Sequence, residues 1–180
     1  MKAWVLSLTF ILLIASTASA DQDSLSGFDL IHQTENYYKP LFLDNIANQE
    51  KRIEEFIQNH TRYSEVEKIH YLLSSTKNSS CVFVRNGLQY NGDAAVRFLR
   101  WKMLHRQRNR KPVKTARDFV RKVAMRSNKT GIPYEIILPD GRRKKAKDVF
   151  LSELEFLERA ILTHQHVNRI SAKSIPLSKV

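Results

Sequence analysis

Asn86-Gly87, set between the short runs CVFVR and LQY, limits what this chain can fold into more than any other feature. Both central residues of a type I′ turn need positive φ, and Asn-Gly supplies them at little steric cost, so residues 81–90 are predicted to form a β-hairpin. The next residues add a helix to it. Asn91 is placed to accept from free amides of a first turn, Asp93 lies near the positive end of the dipole, and the pattern predicts a helix from Gly92 to His105. Its apolar residues fall into two stripes at about 100° per residue, one of Ala95, Val96, Leu99 and Met103, the other of Phe98, Trp101 and His105. A helix wet on one face needs one stripe, so a second element is expected to cover Phe98 and Trp101.

The chain upstream has a candidate. Leu43, Ile46, Ile53, Phe56 and Ile57 predict an amphipathic helix over residues 41–58, whose acids Glu50, Glu54 and Glu55 would face downstream arginines. Residues 21–40 show no clear period and read as an irregular arm. Ser64-x-x-Glu67 is a capping box for a short helix at 65–74, and SSTKNSS reads as a polar loop returning to the hairpin.

After the central helix, RQRNRKP breaks the pattern at Pro112. Thr115-x-x-Asp118 forms a second capping box for a helix to about Ser127. Tyr134 to Leu138, the turn Pro139-Asp140-Gly141 and RRKKA then form a second hairpin. Phe150, Leu154, Leu157 and Ile161 mark a final helix over 147–164, and residues 164–180 read as a flexible tail. Helix, hairpin, helix thus occurs twice, without a shared residue pattern. The fold class is α+β: two antiparallel hairpins packed with four to five helices, because short hairpins cannot make parallel crossovers.

The start of the chain predicts a compartment. Met1-Lys2 is a minimal positive region, Ala3 to Ala15 is an apolar run too short to span comfortably, and Ala18-Ser19-Ala20 is an A-x-A site. A signal peptide cleaved after Ala20 is expected, leaving a periplasmic or secreted chain and no integral membrane anchor. The remaining 160 residues are divided as an N-terminal helical extension at 21–63, an α+β domain at 64–163 and the tail. Cys81 is the only cysteine, so no internal disulfide can form and packing must supply stability; it reads as a strand core residue, with an intermolecular disulfide as the alternative.

Charge is sharply polarised. Residues 97–129 hold thirteen Lys or Arg against one acid, Asp118, which gives +12, whereas residues 21–75 hold ten acids and five bases, or −5. Such a pattern is the footprint of an anionic partner: lipid, glycan or nucleic acid, or an acidic segment of this or another protein chain. The competing reading is a solvated basic face with no ligand.

FVRNG (83–87), AAVRFLRWK (94–102), TARDFVRKVAMRS (115–127) and TGIPY (130–134) together resemble the YfeK-like family, small exported bacterial proteins of unknown function. The resemblance covers about Ser64 to Leu157. It implies an exported α+β domain and no chemistry, and it falls on Arg85, Asn86, Gly87, Leu99, Arg100, Lys102, Gly131, Pro133 and Tyr134. Phe98 stands where that family often has histidine.

No catalytic signature accompanies these motifs. The six histidines match no triad spacing, a Cys81 dyad with His70 or His105 is disfavoured by its strand setting, and His164-x-His166 lacks a third ligand. A phosphate loop and a dinucleotide fingerprint are both missing, so neither a metal nor a cofactor is expected. The binding candidates are Arg85, Arg97, Arg100, Lys102 and Tyr134. Two readings follow: a non-enzymatic binding module using the basic surface from Arg97 to Lys129, or a small envelope hydrolase with Arg85, Lys102 and Tyr134 holding an anion at the hairpin and helix junction. Surface solvation is the plainer account of Lys102.

Overall fold

The computed structural model describes residues 41–173, with side chains to Ser171. The predicted signal peptide over 1–20, the arm over 21–40 and residues 174–180 lie outside them. Five helices and one four-stranded antiparallel sheet make up the described part, the α+β arrangement expected. In chain order these are α1 (Ile46–Asn59), α2 (Glu65–Asn78), β1 (Val82–Arg85), β2 (Leu88–Tyr90), α3 (Gly92–Arg108), α4 (Ala116–Phe119) running into a π-helical turn (Val120–Ala124), β3 (Glu135–Ile137), β4 (Arg143–Lys145) and α5 (Ala146–Lys173).

The first hairpin turns where the local chemistry requires. Asn86 and Gly87 have φ of 50° and 81°, both positive, and β1 pairs with β2 through Phe83↔Tyr90 and Arg85↔Leu88. The two hairpins then join, because β1 also pairs antiparallel with β3, giving the order β2-β1-β3-β4. Joining leaves one sheet whose Phe83 and Ile136, directly paired, are both buried.

Caps define the helix starts. Ser64 and Glu67 form the reciprocal box, with the Ser64 amide donating to Glu67 Oε2 at 2.6 Å and the Glu67 amide to Ser64 Oγ at 3.3 Å. Thr115 caps in one direction only. Its Oγ1 accepts from the Asp118 amide at 3.0 Å, but the Asp118 carboxylate takes Lys122 Nζ at 2.8 Å and the Lys114 amide at 3.5 Å, not the amide of Thr115 itself. Three helices run past their expected ends: α2 absorbs the SSTKN stretch, burying Ser75 and Thr76, α3 reaches Arg108, and α5 continues past His164 to Lys173.

Gly92 explains how α3 meets α2. A Cβ there would lie 2.3 Å from Thr76 O and 2.7 Å from Lys77 O, so only glycine lets the start of α3 press against the last carbonyls of α2.

The segment before α1 and α1 itself belong to the core cluster through Phe42, Leu43, Ile53 and Phe56. Contrary to the expectation from the sequence, they do not cover Phe98 and Trp101, and Trp101 is left 58 % exposed. Phe42 packs on Phe156 of α5 at 5.0 Å between ring centroids, and Phe56 meets Tyr71 of α2 edge-on at 5.4 Å. A buried polar match holds the segment there. Glu153 of α5, fully buried, accepts from the Leu43 amide at 2.7 Å and from Gln49 Nε2, and Gln49 Nε2 also donates to Tyr71 Oη at 2.7 Å. Burial pushes the Glu153 carboxyl up to about 7, against the opposing effects of the Leu43 amide and Arg52. Cys81 lies in the same core, its Sγ donating to Leu43 O at 3.2 Å.

Candidate anion-binding face and the buried lysine beneath it

Helix α3 presents two chemically opposed sides. Ala95, Val96 and Leu99 are buried as the first stripe predicts, and Lys102 is buried with them, at 3 % exposure. Its ammonium lies under the end of the π-helical turn. Nζ donates to Val123 O at 2.7 Å, Arg126 O at 2.6 Å and Tyr134 Oη at 3.2 Å, and stands 4.8 Å from the Tyr134 ring centroid. A turn that widens into π geometry and then stops leaves carbonyls without helical partners, and Lys102 supplies three donors where the helix end is most negative.

The surface-solvated account of Lys102 therefore does not hold. All three of its protons face protein oxygens, and burial lowers it to about 8, with Arg106, Arg85 and Arg126 acting in the same direction. Tyr134 is raised by burial, which Arg85 opposes. Arg85 lies over the Phe98 ring at 3.9 Å, and Phe98 meets Tyr134 edge-on at 6.0 Å. Arg85, Lys102 and Tyr134 thus converge around Phe98. Beside them is a narrow cleft of about 50 Å³ whose lining includes Phe83, Ala95, Leu99 and Phe150, an apolar wall with Arg85 at its edge.

Arg97 and Arg100 are not part of that group. They project from the opposite side of α3, exposed, together with Arg108. Beside them stand Trp101, 58 % exposed, and Leu104, 51 % exposed. At 100° per residue these five positions span an arc of about 100°, centred opposite the buried stripe. The periodicity alone contained this grouping, but the expected cover over Trp101 obscured it. Trp101 has stacking partners on its own helix, Phe98 at 5.8 Å and His105 at 5.5 Å between centroids.

The basic stretch continues beyond α3. Arg110, Lys111, Lys114, Arg121, Arg126 and Lys129 are exposed. Acids of α5 answer part of the charge, with Arg117 pairing to Glu158 at 2.7 Å and Glu155 at 3.6 Å. Among the described residues no cluster of three or more His, Cys, Asp or Glu could hold a metal ion, and no helix is long and apolar enough to cross a membrane. His164 of the predicted tail pair lies on α5 and bonds Asn168 at 2.8 Å.

No curated protein and no solved structure matches the chain. A family model does, over residues 63–158, which span the capping box of α2, both hairpins, α3 with Lys102 and most of the buried part of α5. The chain accordingly belongs to the DUF5329 family, a family of unknown function.

Proposed function

We propose that this is an exported, non-enzymatic binding module of the YfeK-like kind, whose basic face takes an anionic partner in the cell envelope or outside the cell. One observation carries the reading: Arg97, Arg100 and Arg108 stand exposed on one side of α3, continuous in sequence with a further run of exposed bases to Lys129. An array of this kind attracts polyanions by releasing their counterions. The A-x-A site ending at Ala20 supports export. The hydrolase reading draws on the convergence of Arg85, Lys102 and Tyr134, but Lys102 directs its protons to Val123, Arg126 and Tyr134, which favours a supporting role for it.

Titration with lipopolysaccharide, anionic vesicles and duplex DNA at two salt concentrations tests the proposal. Binding that weakens as salt rises, and that falls when Arg97 and Arg100 are both changed to Gln, is expected. No binding to any of the three at low salt would overturn it.

A further inference from the structure

Charge alone would suit any polyanion, but the outer face of α3 carries more than charge. Around the arc Leu104 falls between Arg100 and Arg97, and Trp101 lies at the edge beside Arg108, where a helix facing water normally has polar residues. Two large apolar side chains flanked by arginines form the surface of a helix that lies in a lipid interface, with apolar groups entering the headgroup boundary and guanidinium groups meeting the phosphates.

The setting of Trp101 separates lipid from nucleic acid. A protein that binds single strands offers an aromatic face on which a base can stack. Here the indole packs between Phe98, three residues earlier, and His105, four residues later, with interplanar angles of 29° and 16°. A base stacking on the ring would have to share it with these partners, whereas insertion of the exposed part of the indole, in a residue 58 % exposed, beside lipid headgroups leaves the intrahelical stacking in place.

Deepening the anion-binding reading on which it rests, we infer that the outer face of α3 docks on an anionic phospholipid surface, with Trp101 and Leu104 inserted and Arg97, Arg100 and Arg108 on the phosphates. The helix lies along the membrane plane, and the arginines draw the molecule in from solution before the apolar pair enters.

The test uses the chain from Asp21, the form left by the proposed cleavage after Ala20, in which Trp101 is the sole tryptophan. Vesicles of phosphatidylglycerol and phosphatidylcholine, and vesicles of phosphatidylcholine alone, are added, each with and without brominated acyl chains. Trp101 emission should move to the blue and be quenched by bromine with the anionic vesicles only. Each of Arg97→Gln, Arg100→Gln and Arg108→Gln should weaken the Trp101 response about fivefold. Leu104→Ser should weaken it by several-fold, since less apolar surface then enters the interface. Salt-sensitive binding to the anionic vesicles or to DNA with Trp101 emission unchanged would overturn the lipid inference and leave the anion-binding reading intact. A Trp101 response to DNA as large as that to vesicles would also overturn it, in favour of nucleic acid. Failure to bind any polyanion at low salt would remove both.

Discussion

Among the described residues Lys102 and Glu153 are the two buried charged side chains, and they solve the same problem with opposite signs. Lys102 is a donor that meets acceptors, the carbonyls Val123 O and Arg126 O and the phenol of Tyr134. Glu153 is an acceptor that meets donors, the Leu43 amide and the Gln49 carboxamide. Each ties together elements distant in sequence, and burial pushes each toward its neutral form. They differ in reach. Every partner of Lys102 lies within residues 63–158, the part that defines the family, whereas Glu153 extends from that part to residues 43 and 49 outside it. One lysine completes the domain's own architecture, and one glutamate fastens an addition to it.

Removing the ammonium should have the largest effect. Lys102→Met keeps the aliphatic stem but takes the ammonium away from two carbonyls and from the Tyr134 phenol, which keeps Arg85. A loss of about 3–5 kcal/mol in unfolding free energy is expected in urea titrations. A loss below about 1 kcal/mol would mean that water replaces the donors and that Lys102 is not what completes the turn.

The two groups should also leave opposite marks on the pH dependence of stability. Burial holds Glu153 at about 7 in the folded protein against an ordinary 4.5, so the folded protein binds more protons in that window. Its contribution is fully present below about pH 4.5 and is lost as pH rises to 7, by up to about 3 kcal/mol. Lys102, lowered from 10.5 to about 8, acts the other way: the unfolded chain holds more protons, and stability rises with pH across that window. Thermal melts from pH 4 to 10 should show both slopes, and Glu153→Gln should flatten the first alone. If that slope persists in Glu153→Gln, Glu153 is not its source.

The smallest effect is expected outside both clusters. Trp101→Ser should change stability by no more than about 1 kcal/mol, because the side chain is mostly exposed and loses only its stacking on Phe98 and His105. A cost of several kcal/mol would show that Trp101 serves the core after all.

How much of this was legible in the sequence follows the range of the physics. The Asn86-Gly87 turn, the Ser64 box and the Asn91 cap involve residues within three or four positions of each other, and each appears where the local pattern puts it. Lys102 was not legible as a buried residue, because its acceptors are main-chain atoms 21 and 24 residues away and any residue type could supply them. The two apolar stripes of α3 were visible, but periodicity does not say which stripe has a partner. Hydrophobicity alone assigns the segment over 41–58 to Phe98 and Trp101. Its docking was decided instead by Gln49 meeting Glu153, a pair separated by 104 residues. Five residues of the outer face were readable as one arc, yet their exposure depended on that same unseen choice.

The π-helical turn Val120–Ala124 also makes chain length, more than side-chain identity, the sensitive variable in this part of the protein. A π turn is in effect one residue more than an α-helix would use. Losing or gaining a residue there would rotate all that follows by about 100° and displace it by about 1.5 Å. Arg126 O would swing away from the ammonium, and the approach to Tyr134 would shift with it. Substitutions along this stretch can be absorbed by its exposed side, at Arg121 and Lys122. An insertion or deletion cannot, so the spacing between Lys102 and Tyr134 should drift little as such chains diverge.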